Sequence, residues 1–133
     1  MSPAVLRCID RIFVFGERHP NIPFFGRALG WCFCARAVGI AAHAIENRDY
    51  LRAFALLERI GRLEYEDKAS SEAKFLMAKL YWNGWGLDSD RRKAVMLFEE
   101  SASSGYFEAI DFMSRRNQYL RGGATDEEIA LVA

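Results

Sequence analysis

Histidine is scarce in this chain of 133 residues, and its two copies, His19 and His43, lie in separate segments. Neither has a carboxylate or cysteine at ligand spacing, which weighs against a zinc or iron site. Gly-x-x-x-x-Gly-Lys and Gly-x-Gly-x-x-Gly are both missing, so no phosphate-cradling loop is written in the chain. Only Gly84-x-Gly86 remains, and a helical pattern precedes it where a nucleotide loop wants a strand. There is no Gly-x-Ser-x-Gly and no cysteine–histidine signature. No catalytic residue, metal site or cofactor is therefore predicted. Cysteine is limited to Cys8, Cys32 and Cys34, an odd number. Cys32-x-Cys34 is not a C-x-x-C motif, and on a helix its side chains point to different faces. All three read as small core hydrophobes in a reducing, cytoplasmic compartment. A leader peptide is not expected, because Arg7, Asp10 and Arg11 interrupt the first apolar stretch.

Net charge is also lacking: 18 Lys and Arg face 18 Asp and Glu, so composition implies no nucleic-acid partner. The charge is unevenly spread. Residues 1–62 carry nine Arg, no Lys and five acids, a net +4, whereas residues 63–133 carry nine bases and thirteen acids, a net −4. Unlike ends suggest electrostatic steering or a salt-sensitive head-to-tail homo-oligomer. An apolar content of 51% suffices for one core, and the length fits one domain.

The stretch from Ser71 to Ala109 organises the rest. Ala73, Met77, Leu80 and Tyr81 form one apolar helix stripe, and Ala94, Leu97, Phe98 and Ala102 form a second. Gly84 suits a left-handed helix end. Asp88, Ser89 or Asp90 caps the second helix, and Gly105 stops it. Ala78 and Ala102 are small enough for close helix contact.

These residues resemble the Sel-one-like repeat family, a branch of the tetratricopeptide-like helical repeats. The matching positions are Ala73, Ala78, Tyr81, Gly84, Gly86, Asp90, Ala94, Phe98, Ala102, Gly105 and Ala109. A shift of 36 residues carries Ala73 to Ala109, Met77 to Met113, Gly86 to Gly122, Asp90 to Asp126 and Ala94 to Ala130. The second copy is degenerate: Asn117 and Leu120 replace the tyrosine and the first glycine. Backwards, the shift reaches Ala37, and Asp49-x-x-Arg52-Ala53 copies Asp90-x-x-Lys93-Ala94. The resemblance implies an all-α, short right-handed solenoid of about seven helices in one domain. Its parts are N-terminal helices (1–36), a diverged unit (37–72), the best-matched unit (73–108) and a truncated unit (109–133).

Outside the repeat, Pro3 to Phe15 reads as an amphipathic helix and Glu17 to Pro23 as a connector. Phe24 to Ile45 is apolar enough to span a bilayer, but Arg27 and Arg36 favour a buried helix over a membrane span. Gly30 and Gly39 leave open whether it is one helix or two. A helix follows from Asp49 to about Leu63, with Asp49 at its cap. Tyr65 to Ser71 reads as a polar linker, Tyr106 to Leu120 as a helix, and Thr125-x-x-Glu128 as a capping box for a terminal helix.

The resemblance implies a non-catalytic interaction module, since bacterial members commonly serve as adaptors in signalling, envelope or secretion machinery. An immunity-type protein capping a cognate toxin is the alternative, and an enzyme or enzyme accessory subunit the second alternative. By the same resemblance, the first helix of each unit lines a concave face. The 36-residue shift then aligns three rows there: His43, Lys79 and Arg115; Asn47, Asn83 and Tyr119; Glu46, Trp82 and Gln118. The expected surface is a polar strip with a basic row, an amide row and one indole, fitted to a partner segment with carboxylates and an apolar anchor.

Overall fold

Residues 25–62 and 68–132 are described by a computed structural model. Every regular element among them is an α-helix: α1 (Phe25–Glu46), α2 (Tyr50–Arg62), α3 (Lys68–Asn83), α4 (Arg91–Ser103), α5 (Phe107–Arg121) and α6 (Asp126–Val132). The expected helix at Pro3–Phe15 and the connector after it lie outside the described residues. The long apolar segment is one helix, continuous through Gly30 and Gly39. No described helix is long and apolar enough to cross a membrane.

One boundary differs from the sequence expectation. The stretch read as a polar linker up to Ser71 is already helical from Lys68. No glycine or proline interrupts it, and Ala69 and Ser71 are buried, so packing extends α3 backwards by a turn.

Four helix ends share one geometry. Arg48, Gly84, Gly105 and Gly123 all have positive φ. The next residue's N–H then donates to a carbonyl five positions back: Asp49 to Ala44, Trp85 to Leu80, Tyr106 to Ser101, Ala124 to Tyr119. This is the Schellman closure, which satisfies carbonyls that a helix end leaves unpaired. Arg48 stands 36 residues before Gly84, so the repeat register holds in the backbone at the ends of α1 and α3. In the third unit it slips. α5 runs through Leu120 and turns at Gly123, three residues late, because no glycine stands at 120 to stop it.

The helix starts are equally legible. Asp90 caps α4, its carboxylate accepting from the Lys93 N–H at 3.0 Å. Thr125 and Glu128 form the expected reciprocal box: the Thr125 N–H donates to Glu128 Oε2 at 2.8 Å, and the Glu128 N–H donates to Thr125 Oγ1 at 3.3 Å.

Helices pack mainly against their neighbours in sequence, with α1 also meeting α3. Two apolar clusters result. Cys34, Val38, Leu57, Ile60 and Leu80 fill the space between α1, α2 and α3. Ala78, Trp82, Ala94, Phe98 and Ile129 form the second, with Phe75 and Phe112 against them. The α3 helix therefore buries two faces. Ala78 is fully buried, as expected of a close-contact position, whereas Ala102 is half-buried. Its neighbour Ser101 takes the buried place instead, donating from Oγ to the Ser71 carbonyl at 2.7 Å.

Candidate interaction surface

The repeat-motif residues divide cleanly by role. Ala73, Ala78, Ala94, Phe98 and Ala109 are buried, and Gly84, Gly86 and Gly105 take the left-handed backbone the turns require. Tyr81 is half-buried and joins three helices. Its ring meets Phe54 of α2 edge-on at 5.9 Å, and its hydroxyl accepts from Lys93 Nζ of α4 at 2.8 Å. That hydrogen bond holds the Lys93 ammonium above its ordinary pKa. An open cleft of about 900 Å³ lies beside this pair, edged by Asp88, Arg91, Asp126 and Glu127. Within its rim, Asp126 is held by a bidentate pair with Arg116, at 2.6 and 2.7 Å.

The predicted strip residues are mostly exposed. His43, Asn47, Asn83, Arg115, Gln118 and Tyr119 face solvent, and Lys79 is half-buried. The basic row is tied back to its own helices: His43 Nδ1 lies 3.5 Å from Glu46, Arg115 lies 2.8 Å from Asp111, and Lys79 Nζ sits 5.8 Å from the centre of the Phe75 ring. The amide row has a structural use. Asn47 Nδ2 donates to the His43 carbonyl at 3.0 Å, and Asn83 Nδ2 donates to the Lys79 carbonyl at 2.9 Å. Both close the last turn of a first helix, one repeat apart. Tyr119 does not share that role, because α5 continues past it.

Trp82 requires a correction. It was expected as the exposed indole of the strip, yet it is only 3% exposed. Its ring packs edge-on against Phe98 and Phe112, at 6.2 and 5.3 Å, with the Arg91 guanidinium 5.7 Å from its centre. The expectation assumed one apolar stripe on α3. A helix sandwiched between α2 on one side and α4 with α5 on the other buries two.

A second cleft, of about 1070 Å³, was not anticipated. It opens between the start of α3 and the α4–α5 turn, and holds Glu72, Tyr106, Phe107 and Glu108. Phe107 is 74% exposed. The Glu72 carboxyl is pushed up by burial and then by the Glu108 charge, with Lys68 pulling the other way. The Tyr106 hydroxyl is pushed up to about 12 by burial and by the same two carboxylates, so it stays protonated near neutral pH. The Tyr106-Phe107-Glu108 run directly after Gly105 was the available signal in the sequence, but only the fold brings Glu72 to it.

Because the folded state disfavours the Glu72 carboxylate, the extra stability from protonating it is present below the ordinary carboxylate pKa. It is lost as pH rises through the raised value. Glu72→Gln is therefore expected to stabilise the fold at neutral pH and to match the parent at acidic pH. Thermal melts across that range check this, and a destabilised variant at neutral pH would contradict the assigned environment.

Among the described residues, no group of three or more His, Cys, Asp or Glu side chains is arranged to hold a metal ion. No protein-family model, curated protein or solved structure matches the chain.

Proposed function

We propose that this chain is a non-catalytic interaction module: a short right-handed solenoid of Sel-one-like, tetratricopeptide-like helix pairs. It holds a segment of another protein across α1, α3 and α5. The observation that supports this reading is the repeated closure of α1 and α3. The Asn47 and Asn83 amides cap equivalent carbonyls, and Arg48 and Gly84 turn the chain with the same backbone sign, 36 residues apart. Equivalent endings set the two first helices in equivalent positions, so side chains at a fixed offset recur as a row across the stack.

The row that matters is His43, Lys79 and Arg115, with Gln118 and Tyr119 beside it on α5. The ion pairs that occupy it are exposed and of i, i+3 or i, i+4 type, so each is worth little and a partner carboxylate competes with it readily. Double charge reversal, Lys79→Glu with Arg115→Glu, is expected to weaken a partner captured by affinity purification by about tenfold, or roughly 1.4 kcal/mol. Titration calorimetry against that purified partner reads the change. Unchanged affinity with an unchanged melting curve would make the strip ordinary solvent surface.

A further inference from the structure

Six of the eight exposed large hydrophobic residues lie on the last helix pair: Phe107, Ile110, Tyr119, Leu120, Leu131 and Val132. This pair contributes only Ala109 and Ile129 to the buried core. Phe107, Ile110 and Ser114 recur at i, i+3 and i+7, so they share one face of α5, and all three are exposed. The surface carries an acid excess. Residues 104–133 hold five acids and three Arg, a net −2.

The first helix pair offers the opposite surface. Residues 25–62 hold six Arg and three acids, a net +3. On α1, Ala35, Gly39 and Ala42 recur at i, i+4 and i+7. Ala35 and Gly39 are exposed and Ala42 is half-buried. Nothing lies within 4 Å of where a Cβ on Gly39 would stand. This face is low, open and flanked by the exposed Arg36. It does not pack against α5 or α6 of its own chain to any appreciable extent.

We infer that the acidic, protruding face of α5 and α6 docks on the low, basic face of α1 in a second copy of this chain. Large apolar side chains meet small ones, as helix packing at close range requires. The two faces are unlike, so the contact is heterologous and propagates head to tail. Each added copy covers Phe107 and Ile110 on the previous one. The charge terms act between exposed groups, so the association weakens as salt shortens the screening length.

Sedimentation velocity of the whole chain, with Gly39→Gln and with the double variant Phe107→Ser, Ile110→Ser, tests this. Both changes are at exposed positions, and Gly39→Gln adds a side chain into open space on a helix where glycine is unfavourable, so each fold is checked by its melt. The parent is expected to exceed its 15.2 kDa monomer mass as concentration rises, more so at about 50 mM than at about 500 mM salt. Each variant alone is expected to associate at least about tenfold more weakly. Mixed in equal amounts, the two variants each retain one intact face and should form a dimer and stop there. A monomeric parent at both salt concentrations overturns the inference. So does a Gly39→Gln chain that associates like the parent, which would point to the α5 face pairing with itself. So does a mixture that stays monomeric. None of these outcomes bears on the strip, whose test uses a different partner and different residues.

Discussion

Replacing Phe98 with alanine is expected to lower the unfolding free energy by about 3–5 kcal/mol. Phe98 is fully buried on α4, and its ring touches three helices. It stacks on Phe112 of α5 with centroids 4.0 Å apart, and meets Phe75 and Trp82 of α3 at 5.6 and 6.2 Å. Removing it takes away the burial of the ring and leaves a cavity that three helices cannot close together. A domain of ordinary stability, about 5–15 kcal/mol, loses a large fraction of that total. Denaturant unfolding followed by circular dichroism measures the loss. Phe98→Leu, which keeps most of the volume, should retain much of the difference. A loss under about 1 kcal/mol for the alanine variant would mean that α4 and α5 do not meet at this ring.

Gly86→Ala is the second large effect. Gly86 has φ of +74°, and a Cβ there would stand 2.6 Å from the Tyr50 Cβ and 3.5 Å from its carbonyl carbon. Two costs therefore add, the left-handed backbone and the overlap with the start of α2. Together they come to on the order of 2–4 kcal/mol. Gly105→Ala separates them. Gly105 has φ of +84° but nothing within 4 Å, so only the backbone cost of about 1–2 kcal/mol applies. The overlap also acts beside the stacked rings of Tyr50 and Trp85, 5.3 Å apart, so tryptophan fluorescence should shift in Gly86→Ala and not in Gly105→Ala. Equal losses for the two variants would remove the close approach of the turn to α2.

The comparison of these glycines shows where the sequence was sufficient. Gly84, Gly86 and Gly105 follow a spacing that only a tight helix-to-helix turn uses, and all three have positive φ. Asp90 and Thr125-x-x-Glu128 state their caps within four residues. The stripes of α3 and α4 state which alanines are small because a helix lies against them. All of this is local chemistry, set by backbone sterics and by side chains reaching their own turn, so it can be read before any tertiary contact is known.

Other features depend on what lies across the chain, and there the sequence alone misled or was silent. Trp82 looks exposed on a helix with one apolar stripe. It is buried because α3 is covered on two sides, and the number of neighbours is a property of the stack. The third helix end moved to Gly123 because a helix runs until something stops it, whatever the repeat period says. Tyr119 thereby lost the capping role of Asn47 and Asn83. Ser101 replaced Ala102 at the close contact because its hydroxyl finds the Ser71 carbonyl across the pair. Glu72 and Glu108 share a cleft although 36 residues separate them. The residues of this chain determine its helices, their ends and their small contact positions, since those follow from neighbours within a turn or two. Which faces are covered, which aromatic ring is hidden and which carboxylates repel were decided only by packing, because burial and charge depend on distances that the chain order does not contain.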